Sequence, residues 1–289
     1  MQLSAGVKRH SVVRATINYF DKKIARGRFD VIEPQRNLME FEPHQVEIFD
    51  MRACPGEVTI EQQGFTFARH PSKVAQQPEI MEINKVAQFG TPPINQAYYD
   101  ELLPFIKQRS GAREVIPQAT GLTVRYSPRS TQQSWAGAAG FAHLDVTTSS
   151  FQRFLDASLA VLDKPLAPWR RVVMYQTWRV VAETTPVDNV LAVCDRRSVP
   201  TSDVTFYDAF IGDKNTELES IEARTCKYGP EHRWWYLSDM SAEDVLVFIG
   251  YDSADPDAVQ PFHSGFDVPG LEQAMPRASL EARFFAFYD

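Results

Sequence analysis

Cysteine is scarce in this chain: Cys54, Cys194 and Cys226 are the only three in 289 residues. An odd number of widely spaced thiols argues against a disulfide framework, and no pair has zinc-site spacing. They read as reduced, packed cysteines of a cytoplasmic protein. No apolar run is long enough to span a bilayer, so no membrane partner is expected. Met1–Lys8 lacks the apolar core and cleavage site of a signal peptide. Positive charge is also short: 30 Lys and Arg stand against 37 Asp and Glu, a net charge of −7. A nucleic-acid binder would carry a basic footprint, so none is expected as partner. Nucleophile elbow, phosphate loop and dinucleotide fingerprint are all missing. Gly137-Ala138-Ala139-Gly140 is too short and out of context to serve as any of them.

What is present is a well-supplied core, with 44% hydrophobic residues, and a run of strand-like segments. Residues 12–20, 46–51, 64–70, 170–181, 189–195, 233–237, 245–251 and 280–288 are rich in β-branched and aromatic residues. Two stretches have helical spacing instead. One is 96–109, which Pro104 should kink, and the other is 149–162, with an N-cap offered among residues 147–150. Many strands and few helices predict a mainly β fold, a barrel or sandwich with flanking helices. No repeat or linker divides the chain, so it is read as one domain, 1–289. Residues 1–115 form an N-terminal elaboration and 116–289 the core.

The chemistry concentrates in Ala142-His143-Leu144-Asp145. Residues i and i+2 of an extended segment share one side, so His143 and Asp145 can face one ion. A lone distant His263 would close a 2-His-1-carboxylate triad, the ligand set of non-heme Fe(II), which leaves positions open for a cosubstrate and O2. A His-x-Asp pair arises easily by chance among six histidines, and a lone His is more often structural than a ligand. His10, His44, His70 and His232 have no carboxylate two residues on and are read as structural, His232 as a strand-edge residue. His263 gains weight from Arg277-Ala278-Ser279 downstream. Arg277 offers a planar fork for a carboxylate beside the metal, and Ser279, on the same strand face, adds a hydroxyl.

Five blocks carry a family resemblance. They are Tyr175-Gln176-Thr177-Trp178-Arg179, residues 188–195, residues 232–240, Phe262-His263-Ser264-Gly265-Phe266 and residues 276–283. From about residue 12 to the end the chain resembles the cephem-methoxylase/gibberellin-desaturase-like group. These are Fe(II)/2-oxoglutarate-dependent oxygenases of fungal and bacterial secondary metabolism. The resemblance implies a double-stranded β-helix (jelly-roll, cupin-like) core, with Fe(II), 2-oxoglutarate and O2 as cofactor and cosubstrates. It also implies a dioxygenase that hydroxylates, desaturates or oxidatively cyclises a small secondary-metabolite intermediate. Asp145 occupies the position that is vacant in related halogenases, which argues against halogenation.

The expected roles are then as follows. His143, Asp145 and His263 are the metal ligands and the catalytic centre. Arg277, with Ser279, takes the distal carboxylate of 2-oxoglutarate, and Tyr175 hydrogen-bonds the cosubstrate. Trp178 and Arg179 line the substrate pocket. Arg283 is the second choice for the cosubstrate or substrate. It lies six residues beyond Arg277, roughly 20 Å in an extended strand, so one carboxylate cannot reach both; its plainer reading is an ion pair. Asn189 and Arg197 are weaker pocket candidates, and Asp239 and Asp244 read as solvated turn residues. Segments 115–121 and 130–140 are expected to shape the substrate entrance. Two rival readings stand: an Fe(II)/O2 oxidase without 2-oxoglutarate, and a non-catalytic binding subunit of a partner enzyme. A homodimer is the expected assembly.

Overall fold

The computed structural model describes residues 11–30, 33–54, 56, 58–82, 93–132, 137–181, 185–211 and 219–289. In chain order the elements are β1 (Val12–Phe20), β2 (Arg26–Asp30), β3 (Phe41–Asp50), β4 (Phe65–Arg69), α1 (Pro93–Ser110), β5 (Glu114–Pro117), β6 (Thr123–Tyr126), β7 (His143–Leu144) and α2 (Thr148–Ala160). They continue as β8 (Arg171–Val180), β9 (Val190–Cys194), β10 (Val204–Ile211), β11 (Glu219–Cys226), β12 (Trp234–Tyr236), β13 (Asp244–Asp252), β14 (His263–Phe266) and β15 (Ala278–Tyr288). Among the described residues one sheet has nine strands in the order β1-β3-β12-β9-β14-β7-β11-β10-β2. The other runs β4-β13-β8-β15-β5, with β6 also pairing β15. The mainly β expectation is therefore met, and with it the jelly-roll.

The two sheets share one core. Ile17, Ile48, Val193 and Trp234 from the larger sheet pack with Phe65, Trp178, Val180 and Phe248 from the smaller. Strands from the first 115 residues are woven into both layers. β1 pairs with β3, β3 runs parallel to β12, β2 parallel to β10, and β4 antiparallel to β13. β8 is buried along nearly its whole length because its two faces are both covered. This is why even its polar residues Gln176, Thr177 and Arg179 are buried.

α1 covers the outer face of the smaller sheet, placing Tyr98, Tyr99, Leu102 and Ile106 over Tyr175, Leu280, Ala282 and Phe284. It continues through Pro104, which lies on its exposed side. An interior proline costs about 3 kcal/mol. Full burial of Leu102 and Ile106 contributes about 1.5–3 kcal/mol each, so packing outweighs the break that Pro104 predicts. α2 begins where the Thr and Ser cluster places it. Thr147 Oγ1 accepts from the Ser150 backbone N–H, and Ser150 Oγ accepts from the Thr147 N–H at 2.9 Å. Phe151 and Leu155 then pack on Phe285, Phe287 and Tyr251. This fixes the chain immediately after Asp145. None of the three cysteines forms a disulfide among the described residues; Cys194 and Cys226 are buried and Cys54 is half-buried.

Candidate metal centre

Short pieces of backbone build the site. β7 is two residues long and sits between β14 and β11. His143 stands directly opposite His263 in an antiparallel pair, and directly opposed side chains come within reach of each other. The ring centroids are 4.2 Å apart. Asp145, two residues past His143, falls on the same side just beyond the strand end. Its Oδ1 is 3.6 Å from His143 Nε2 and 4.0 Å from His263 Nε2. One donor atom from each of the three residues lies within 4.8 Å of the others. Three residues spread across the sequence thus converge on one point.

The protonation states suit metal binding. His143 Nδ1 lies 2.8 Å from the Phe141 carbonyl, which only accepts, so that nitrogen carries the proton and Nε2 is free to ligate. Burial lowers the pKa of His143, and burial followed by the neighbouring His143 pushes His263 down to about 3. Both rings are therefore neutral, as a metal requires. Burial alone would raise the Asp145 carboxyl. The Arg283 guanidinium, and then the two imidazoles, overcome it and hold the group well below the usual carboxylate range. The set is a borderline N₂O donor group that fits Fe(II).

Arg277 lies on the wall of the same cleft, which encloses about 310 Å³ of empty space with the solvent at its mouth included. The guanidinium is buried. Nη1 donates to Ser279 Oγ and Nη2 to Asn189 Oδ1 at 3.1 Å. Its backbone N–H donates to Asp188 Oδ1 at 2.7 Å, and its guanidinium carbon sits 5.6 Å from the Trp178 ring centroid. Among the described residues no carboxylate forms an ion pair with Arg277, and its Nε has no hydrogen-bond partner. Burial lowers its pKa to about 10. Glu281, Asp188 and Asp267 offset part of that burial from a distance, but a buried cation with no directly paired carboxylate is costly, and a ligand carboxylate would supply that pair. Asn189 is held at φ 43 with its Nδ2 donating to Asp267. Gly265 makes room for it, since a Cβ there would lie 2.7 Å from Asn189 Oδ1.

The other expected residues divide by strand parity. Trp178 lines the cleft together with Leu191, Ala138 and Ala139. Tyr175 and Arg179 do not share its face, being three residues and one residue away on β8. Tyr175 instead packs under α1, its hydroxyl 3.1 Å from the Tyr288 hydroxyl. Arg179 is fully buried, donating to the His70 and Ala242 carbonyls at 3.0 Å each. The expected contacts of Tyr175 with cosubstrate and of Arg179 with substrate are therefore not formed by this geometry.

Arg283 does not approach Arg277; its Nη2 donates to Asp145 Oδ2 at 2.6 Å, the ion-pair reading rather than the cosubstrate one. Arg197 pairs with Asp195 away from the cleft. Asp244 is buried rather than solvated and accepts from Arg52 at 2.6 Å. His232 is paired with Asp203 at 3.1 Å. Residues 115–117 lie in β5, whose Ile116 packs in the core beside α2, not at an entrance. Of the 130–140 loop, Ala138 and Ala139 do line the cleft, and 133–136 lie outside the described residues.

Two charged cleft residues, Glu281 and Arg125, were not anticipated. Glu281 was legible in principle, since 277, 279, 281 and 283 alternate on one strand face. Arg125 carries no such signal. It arrives because β6 pairs with β15, and its Nε donates to Glu281 Oε1 at 2.7 Å.

Fold and site together define a double-stranded β-helix with a 2-His-1-carboxylate cluster. The chain belongs to the Oxidoreductase/YMDC permease-like domain family, which matches residues 17–287. Among the described residues no helix is long and apolar enough to cross a membrane. The chain is 25% identical to hydroxylase/desaturase efuI of Hormonema carpetanum, over 96% of this chain and 95% of that protein. It is 23% identical to the Fe(II)/2-oxoglutarate-dependent dioxygenase nvfI of Aspergillus novofumigatus, over 85% and 84%. The solved iron and alpha-ketoglutarate-dependent endoperoxidase NvfI superposes with a TM-score of 0.74 over 96% of this chain and 98% of that one, at 19% identity. The resemblance to hydroxylase/desaturase and dioxygenase relatives read from the sequence blocks is borne out.

Proposed function

We propose that this chain is an Fe(II)/2-oxoglutarate-dependent dioxygenase that oxidises a small secondary-metabolite intermediate. The enzyme class is that of its relatives. The observation that carries it for this chain is the buried Arg277, without a carboxylate partner, in the same cleft as three convergent metal donors. This favours a carboxylate cosubstrate over cosubstrate-free oxidation, and an intact donor set favours catalysis over a binding subunit.

His143, Asp145 and His263 would hold the metal. Arg277 and Ser279 would take the distal carboxylate of 2-oxoglutarate, the guanidinium by charge and the hydroxyl by a hydrogen bond. When bound, Fe(II) with 2-oxoglutarate and O2 supplies the oxidising power that breaks an unactivated C–H bond as the cosubstrate becomes succinate and CO2. The protein's own part is orientation and exclusion of water. Trp178 and Leu191 present apolar surface to the substrate. The product, hydroxylated, desaturated or cyclised, depends on which C–H bond those walls set nearest the metal.

We read 1–289 as a single oxygenase domain, with 1–115 elaborating a 116–289 core, and β1 to β4 running within both sheets support this. Cysteines without disulfides among the described residues suit a cytoplasmic enzyme, and a homodimer is its expected assembly.

The test is anaerobic visible absorption of the Fe(II)-loaded protein before and after 2-oxoglutarate. A metal-to-ligand charge-transfer band, lost in His263→Ala, is the expected result. Bound iron without such a band overturns the 2-oxoglutarate assignment, and no iron binding overturns the metal centre.

A further inference from the structure

The two oxygens of Asp145 have different neighbours. Oδ1 faces both imidazoles, at 3.6 and 4.0 Å. Oδ2 is held by Arg283 Nη2 at 2.6 Å, a short charge-assisted bond between two largely buried side chains. Arg283 has a second anchor in Glu281 Oε2 at 3.2 Å. Glu281 is itself held by Arg125, whose Nη1 donates to the Gly137 carbonyl at 2.9 Å. The chain Asp145–Arg283–Glu281–Arg125 thus ties one carboxylate oxygen to the loop that forms the cleft wall.

A carboxylate with both oxygens free can chelate a metal. An octahedral ion held by three protein donors has three positions left; a chelating cosubstrate takes two and O2 needs the third. If Asp145 also chelated, that third position would be filled. We propose that Arg283 is a positioning residue that restricts Asp145 to one-oxygen ligation and so keeps a coordination position open at the metal. This rests on the iron reading above. The guanidinium also places positive charge beside a cation, so its removal should not weaken metal binding. A purely structural role would instead predict that the site loosens.

The experiment compares wild type with Arg283→Met, both loaded anaerobically with Fe(II) and 2-oxoglutarate. Nitric oxide, which binds where O2 would, is titrated and read by the spin-3/2 electron paramagnetic resonance signal. The wild-type charge-transfer band tests the underlying reading by itself: its absence overturns that reading and this inference with it. Given the band, Arg283→Met should keep it and hold Fe(II) at least as tightly. Its nitric oxide affinity should fall tenfold or more, and Arg283→Lys should recover part of the loss. Nitric oxide binding equal to wild type overturns the proposal, as does Fe(II) affinity weakened more than tenfold. Should Arg283→Met not fold, Glu281→Gln carries the test, since it removes one anchor of Arg283 and leaves Asp145 intact. A fall of about threefold in nitric oxide affinity supports the role, and no change overturns it.

Discussion

Along β15, alternate residues are buried against opposite kinds of surroundings. Leu280, Ala282, Phe284 and Ala286 face outward beneath α1, among apolar neighbours. Ser279, Glu281 and Arg283, with Arg277 just before the strand, lie on the opposite, inner face, Arg277 and Ser279 buried and Glu281 and Arg283 half-buried. The outer face gains free energy from removing apolar area from water. The inner face must recover a desolvation cost through hydrogen bonds and ion pairs. It does so for Glu281 and Arg283 but leaves Arg277 Nε without a partner. One strand therefore carries both a stabilising surface and a surface with an unmet demand that a ligand carboxylate would meet.

The sharpest way to break this contrast starts across the cleft. His263→Ala removes one of three donors, and Fe(II) affinity by anaerobic titration should fall at least a hundredfold. The far-ultraviolet circular dichroism should not change. On the outer face, Phe284→Ala should lower the unfolding free energy by about 3–5 kcal/mol, measured by urea denaturation. Fe(II) affinity of the folded protein should stay within a factor of two; a large change would show that the two faces are not separable.

On the inner face, Arg277→Ala should weaken 2-oxoglutarate by about 2–4 kcal/mol, the range for losing one partner of a buried charge pair. That is roughly 30- to 700-fold, read from the charge-transfer band during cosubstrate titration. Unfolding stability should hold or rise, because an uncompensated buried charge is gone. Ser279→Ala deletes one hydrogen bond and should cost about 1 kcal/mol in the same titration. An effect as large as that of Arg277→Ala would mean that the hydroxyl, not the guanidinium, is the main anchor.

The smallest effect concerns an imidazole–carboxylate pair away from the cleft. Burial lowers the His232 pKa from its ordinary 6.5, against the pull of Asp203. The unfolded chain then binds more protons than the native one as pH falls below about 6.5. Stability from keeping His232 neutral is fully present above that pH and declines as pH drops toward the folded value. In the metal-free protein, His232→Gln should flatten the fall in melting temperature across this window, and an unchanged slope would remove His232 from the acid response.

Much of the scaffold could be read directly. β1 covers the segment that its β-branched and aromatic run marks, and β8 and α2 fall within a residue or two of expectation. β7 was invisible as an element because two residues carry no periodicity. β11 was missed because its Glu, Ser and Arg residues mask the strand pattern. Tyr175 and Arg179 lie on the face opposite Trp178, a placement that period-two arithmetic already gives. α1 shows the converse failure, a local helix breaker outvoted by tertiary burial.

The sequence by itself determined the donor types and their local faces. Side-chain alternation is a property of the extended backbone, so His143 with Asp145, and Arg277 with Ser279, could be paired without knowing where their strands go. Only the tertiary structure decided that His143 stands opposite His263, and that Arg283 reaches Asp145 from 138 residues away. It alone left Arg277 buried with no directly paired carboxylate among the described residues. These outcomes depend on which strands become neighbours and on which face of each sheet is covered. Both are settled by the burial of the whole chain, not by the spacing of any one segment.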